Sequence, residues 1–407
     1  MDRKTLYLVL GCMGGMLAFS CGDQQKKTEN SEAITLNNPS SFDRKEVVAI
    51  ASADGVELPK PGFYSDTDWK VEAQDQNADG QTDQLLVYGQ WAANESKSLD
   101  LSALKVDGIT KAMTQAEISV QQGGEWQDRK YVNGQGFKNV DFLRVPQEHT
   151  DHSYYIRYEG PGLESDKVGY RYYLDWRNAV DIFGKKVNSM VLQQVGQDGF
   201  DSYHEPSDWG MDVLKAGKSL GVGSIGRLIG DSVVHFQLTD SVTCQVQSGY
   251  LQSKVTTNYY GWDVDGKKID LQSEMSINAG EHAVKHTVDL SEATEGFVTG
   301  LVKNSKGERL EALVGSGGWT YIATYGPQSL AEDNLGMALI YHTKDVEAVR
   351  EGGFDHLIQF KTSEKPFSYY LLGAWEQEPN GIKDKASFKA YLDQKVAQLN
   401  EPIQISN

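Results

Sequence analysis

Tyr203-His204-Glu205 places an imidazole inside residues 196–226, a stretch rich in glycine, acids and aromatic rings. Imidazole changes charge near neutral pH, so His204 is a candidate general acid or base. The segment is too irregular for a core strand and too aromatic for a solvated linker, which reads as a functional loop. Residues 154–186 are dense in guanidinium, carboxylate and phenol groups. Arg157, Arg171 and Arg177 carry planar forks suited to gripping a carboxylate or sulfate with paired hydrogen bonds. Tyr172 and Trp176 offer faces for stacking on sugar rings, and Trp209 is a further substrate-binding candidate in the first segment. The same letters in 154–186 also describe a strand pair laced by cross-strand ion pairs.

Other constellations are weaker. Asp75, Asn77, Asp79 and Asp83, with Gly80, have the oxygen spacing of a calcium loop, but Leu86 stands where a bidentate carboxylate is needed. A tight Asp-Gly hairpin accounts for the same residues, and no cofactor is required by the sequence. His286 shares an alternating face with Val284 and Val288 and reads as a satisfied core histidine. His149 and His152 flank a polar turn without evident metal partners. The chain has no nucleophile elbow, phosphate loop, CxxC pair or HExxH motif.

These groups need a scaffold, and most of the chain alternates apolar and polar residues with period two. Val234, Phe236 and Leu238 form one such face; Ile269, Leu271 and Ile277 lie in another stretch; Val284, Val288 and Leu290 in a third. Asp265-Gly266, Asn278-Ala279-Gly280 and Lys306-Gly307 punctuate them as turns. The expected fold is all-β, an antiparallel sandwich or barrel-like architecture. Phe388, Tyr391, Leu392 and Leu399 recur at helical spacing behind a cap at Asp384, which predicts a short C-terminal helix packed on the sheet.

The first residues read as an address. Arg3 and Lys4 precede an apolar stretch from Leu6 to Phe19, too short to span a membrane, that ends at Ser20-Cys21. Residues 1–20 are expected to be a signal peptide and Cys21 a lipidation site. Residues 21–41 would form a flexible tether and 42–407 a single domain. The expected location is the cell envelope, as an outer-membrane lipoprotein facing the periplasm or the surface. Cys244 alternates with Val242 and Val246 and reads as an inert core thiol. The net charge of −18 argues against nucleic acid as a partner and against membrane contact other than through the lipid.

Long blocks carry a resemblance. Ser40-Ser41-Phe42-Asp43-Arg44 leads into Glu46-Val47-Val48, and Asp79-Gly80 precedes Asp83 and Leu85. Glu164 to Arg171, Asn178 to Lys186, Tyr203-His204-Glu205 and Gly210-Met211-Asp212 continue the pattern. From about Asn38 onward the chain resembles domain of unknown function 4861, a family of Bacteroidetes polysaccharide-utilisation systems. The resemblance implies a large β-sandwich of the galactose-mutarotase type. It also implies an oligosaccharide dehydratase acting on acidic polysaccharide of the ulvan kind. Such an enzyme removes water from a non-reducing-terminal uronic acid and leaves a 4,5-unsaturated sugar.

That reaction removes the C5 proton, α to a carboxylate, and expels the 4-hydroxyl. A cation must neutralise the carboxylate as charge develops, and Arg171, Arg157 and Lys167 are available. His204 and a tyrosine, Tyr203 or Tyr321, fit the acid and base roles without the sequence deciding which does which. Glu164 and Asp166 would orient the cations. A polysaccharide lyase uses the same three roles and expels a sugar alkoxide. A glycan-binding lipoprotein without catalysis is the reading from another class. A hydrolase using Glu205 and Asp208 is a third, though neither carboxylate has a visible partner to separate their pKa values.

Overall fold

A computed structural model describes residues 33–51, 58–108, 111–200, 202–312, 318–363 and 365–406. The expected leader and Cys21 lie outside the described residues.

The central layer is a nine-stranded antiparallel sheet. Its longest strands, Gln252–Val264 and Lys267–Asn278, are joined by Asp265-Gly266. Both linking residues have positive φ, 57° and 74°, the geometry whose twist matches the flanking strands of a two-residue hairpin. Alternation then sends Ile269, Leu271, Met275 and Ile277 to the buried face. A second layer faces it, made of a six-stranded and a five-stranded sheet that meet at a parallel bridge between Val180 and Gly221. One hydrophobic core, including Ile182, Val222, Leu271, Met275 and Ile358, fills the space between the layers. The fold is thus an all-β sandwich. Cys244, fully buried there, is held as a thiol because burial raises its pKa to about 12.

The helix Lys385–Asn400 begins where expected, with Asp384 accepting a hydrogen bond from the Ser387 N–H at 2.8 Å. It packs Phe388, Leu392 and Val396 against the outer face of the nine-stranded sheet. A smaller core, with Ile34, Leu36, Val71, Val87 and Trp91, belongs to the N-terminal sheets.

Two expectations about organisation change. Residues 33–37, placed in the expected tether, are a strand whose Ile34 and Leu36 are buried. Two alternating apolar side chains suffice to add a strand in an otherwise polar run. Val234, Phe236 and Leu238 do not share a face, because the strand ends at Val234 and Leu238 is exposed. Residues 75–83 connect Lys70–Gln74 to Gln84–Trp91 as a hairpin. Asp75 accepts backbone N–H bonds from Asp79 and Gly80, while Leu86 is buried in the strand, so the twelfth position of a calcium loop lacks its oxygen.

Candidate functional site

Three neighbouring strands of the six-stranded sheet build the site. Val168–Tyr172, Val180–Lys185 and Gly210–Asp212 pair in that order, with Arg171 opposite Asp181 and Phe183 opposite Asp212. Tyr170, Tyr172, Ile182 and Met211 face the interlayer core. Period-two alternation therefore sends Arg171, Asp181 and Asp212 to the outer face, away from that core. There Tyr158, Phe183, Val191, Leu192 and Tyr203 form a small apolar cap over them.

The Arg171 guanidinium is the centre. Its Nη1 donates to the Tyr203 hydroxyl at 2.9 Å, and its Nη2 donates to the Tyr173 hydroxyl at 2.9 Å and to Asp181 Oδ2 at 2.8 Å. Asp212 Oδ2 lies 2.8 Å from Nη2, and Glu159 Oε2 lies 3.8 Å from Nη1. Burial opposes the Arg171 charge, but the surrounding acids and phenols hold it firmly protonated. Arg171 and Arg177 are two cations set against four buried carboxylates, Glu159, Asp175, Asp181 and Asp212. Burial, outweighing the attraction of Arg171 and reinforced by Asp181, pushes the Asp212 carboxyl well above the usual carboxylate range. Burial likewise raises the Tyr203 phenol, against the opposing pull of Arg171.

Two histidines rim this network. His204 Nε2 stands 3.5 Å from Asp212 Oδ2, with 39% of the His204 side chain exposed. His152, 55% exposed, places Nδ1 2.5 Å from Asp151 Oδ1, and its backbone N–H donates to Glu159 Oε1 at 3.0 Å. An aromatic wall joins them: His152 meets Phe200 at 5.1 Å between ring centroids, Phe200 meets Tyr203 at 6.3 Å, and Tyr203 meets His204 at 4.5 Å. A cavity of about 180 Å³ opens beside Phe200, Tyr154 and Tyr158. Arg177 closes the circuit, pairing with Glu159 at 2.9 Å and Asp151 at 3.0 Å.

The backbone of this rim is strained. His152, Tyr154, Tyr158 and Glu159 all have positive φ, between 40° and 71°. Such conformations cost on the order of 1–3 kcal/mol each and cluster where function over-determines them. Gly160 permits the chain's close approach, because a Cβ there would sit 1.7 Å from the Tyr172 carbonyl oxygen.

Of the residues expected from the sequence, Arg171, Tyr203 and His204 come together, and Trp209 packs beside them on Phe183 at 5.9 Å. Arg171 is only 3% exposed, and its two terminal nitrogens face Tyr203, Tyr173 and Asp181, turned away from solvent. Arg157 is buried against Glu117 and Ser119. Lys167 sits at the far end of the strand from Arg171, beside Asp166 at 3.7 Å. Tyr321 occupies the outer face of the nine-stranded sheet and donates to Asp393 of the helix at 2.9 Å. It packs in the core beneath that helix, apart from the His204 cluster, because alternation gives the interlayer core Ile322 instead. Tyr172 is buried among Asn178 and Tyr259, not presented for stacking. Trp176 is exposed but lines a different cavity, beyond Arg177. Glu164 pairs with Lys185 at 2.7 Å, and Asp166 accepts from the Gly280 N–H, so neither orients the arginines.

Sequence reasoning set aside His152 and gave no role to Glu159, Asp181 or Asp212. Asp181 and Asp212 were visible within the family blocks. The proximity of His152 to Glu159 rests on left-handed backbone at non-glycine positions, which leaves no mark in the letters.

A family model described as domain of unknown function (DUF4861) matches residues 36–405. No curated protein matches the chain. Among solved structures, an alpha-mannosidase from Enterococcus faecalis V583 aligns at 9% identity and TM-score 0.40, over 92% of this chain and 45% of that one. A protein in the glycosyl hydrolase family 38 from Enterococcus faecalis aligns at 9% identity and TM-score 0.36, over 93% of this chain and 47% of that one. This chain spans less than half the length of either.

Proposed function

The chain belongs to the DUF4861 family, and from that membership and the site geometry we propose that it is an oligosaccharide dehydratase. Its substrate class would be acidic, ulvan-type oligosaccharides ending in a uronic acid, and its product a 4,5-unsaturated uronate. The observation that carries this reading is the pair of half-exposed histidines, each backed by a carboxylate, on one buried arginine–carboxylate network.

The roles follow from where protons reside. The His152 Nδ1 proton engages Asp151, which leaves Nε2 as the basic nitrogen to take the C5 proton. Asp212, whose burial favours its protonated form, stands behind His204 and makes that pair the donor. As the C5–H bond breaks, its electrons form the C4–C5 double bond. The C4–O bond then breaks, and the departing hydroxyl takes the proton from His204 to leave as water. Of the three arginines first considered, Arg177 alone keeps appreciable exposed surface, 15% of its side chain against 4% for Arg171 and 0% for Arg157. Its guanidinium is held by Asp175, Glu159 and Asp151, so Arg177 fixes the carboxylates behind His152 in place. The expected lipid anchor would place this activity in the cell envelope.

The test is mass spectrometry of uronate-terminated oligosaccharides incubated with the mature protein. The expected result is loss of one water with chain length preserved. Two shorter fragments would assign a lyase instead, and an unchanged substrate that still binds would leave a glycan-binding protein.

A further inference from the structure

A second cavity lies apart from His152 and His204. It encloses about 360 Å³ and is walled by Trp176, Arg177, Lys218, His235, Phe354 and Asp355. Four separate turns build it: residues 175–178, 217–219, 230–233 and the hairpin tip 352–355. Two of its walls are large aromatic side chains left in solvent, Trp176 at 42% exposure and Phe354 at 54%. A fold with ample core space exposes such rings at a cost in apolar burial, and a cavity flanked by two of them is a place where another apolar surface docks. Lys218 Nζ stands 6.0 Å from the Phe354 ring centroid, so a cationic donor borders the aromatic face.

Rings that present a flat C–H face and carry hydroxyl or anionic groups at the edge match this lining. Such a ligand stacks its face on the aromatics and turns its edge to Lys218. The cavity is also tied to the acid–base cluster by one residue. The Arg177 carbonyl accepts from His235 Nδ1 at 2.8 Å in the cavity wall, while its guanidinium pairs with Glu159 and Asp151 beside His152. Arg177 thus touches both regions.

We infer that this cavity is a second sugar subsite, which takes a ring farther along the oligosaccharide from the reacting uronate and stacks it on Trp176 and Phe354. The inference rests on the dehydratase reading for which end of the chain reacts, but the binding itself does not require turnover.

The experiment compares wild type with Trp176→Ala and Phe354→Ala on a uronate-terminated disaccharide and tetrasaccharide. Trp176 and Phe354 are 42% and 54% exposed and lie outside the buried cores, so the variants retain the fold, which a melting curve verifies. The advantage of the tetrasaccharide over the disaccharide in kcat/KM is expected to fall about tenfold in each variant, the scale of one lost stacking contact. An advantage unchanged in both variants overturns the subsite. Calorimetric titration with the tetrasaccharide separates the two readings. Binding about tenfold weaker in Trp176→Ala, in a protein that removes no water, upholds the subsite and sinks the dehydratase. Equal affinity in wild type and variant, or no binding by wild type, overturns the subsite whatever the turnover assay shows.

Discussion

His286 and His204 are both histidines held by side chains of a β-sandwich, and they sit in opposite physical situations. His286 is fully buried in the central layer, where Ser273 Oγ and the Tyr369 hydroxyl each lie 2.7 Å from one of its ring nitrogens. Every polar atom of the ring is engaged, and burial drives its pKa down to about 3, so it stays neutral. His204 rims a network where Arg171 and Arg177 face four buried carboxylates, Glu159, Asp175, Asp181 and Asp212, and where Asp212 Oδ2 lacks a well-formed hydrogen bond. Satisfied polar groups specify a core, whereas unbalanced charge beside an exposed imidazole stores protons that can be moved. Burial state and balance of charge, more than residue type, separate a structural histidine from a chemical one.

Removing the centre of the unbalanced region should have the largest effect. Arg171→Met leaves Asp181 and Asp212 without their cation while Glu159 keeps Arg177, and breaking such a buried pair costs about 3–5 kcal/mol. A large fall in Tm, or failure to fold, is expected. The outcome differs from what a substrate-facing arginine would give, which is lost turnover at unchanged Tm. Thermal melts of Arg171→Met and Arg171→Lys distinguish the two, with Arg171→Lys intermediate because it keeps the charge but not the fork.

A smaller, pH-dependent effect belongs to the satisfied region. The folded pKa of His286, about 3, lies below its unfolded value of about 6.5. The unfolded chain therefore binds the proton first as pH falls. His286 contributes stability that is complete above pH ~6.5 and is lost progressively toward pH ~3. Wild type is expected to lose more Tm than His286→Gln between pH 7 and pH 4. Parallel pH profiles would show that the ring is not buried neutral as described.

The sandwich was legible because its causes are local: alternation, Asp-Gly turns and the Asp384 cap each act within a few residues. His286 was legible for the same reason, sharing a face with Val284 and Val288. The site was legible only in part. Tyr203, His204 and Arg171 announced themselves by type and neighbourhood, but their partners come from strands far apart in sequence and from the positive-φ segment at 152–159. Tyr321 was misplaced because an apolar-flanked tyrosine looks the same on either face of a sheet. Only the position of the helix, which covers one face, shows that its hydroxyl meets Asp393. Arg171 was assigned to substrate because an arginine's partners cannot be counted from its own strand.

The most direct measurement of the central claim is the initial rate of water loss from a uronate-terminated oligosaccharide by His204→Ala, at matched concentration of folded protein. A group that transfers a proton contributes about 10²–10⁴-fold, so the rate should fall by that factor while stability changes by no more than about 1 kcal/mol. A variant that melts far lower while its folded fraction turns over at the wild-type rate would contradict the account, placing His204 with His286 among the structural histidines.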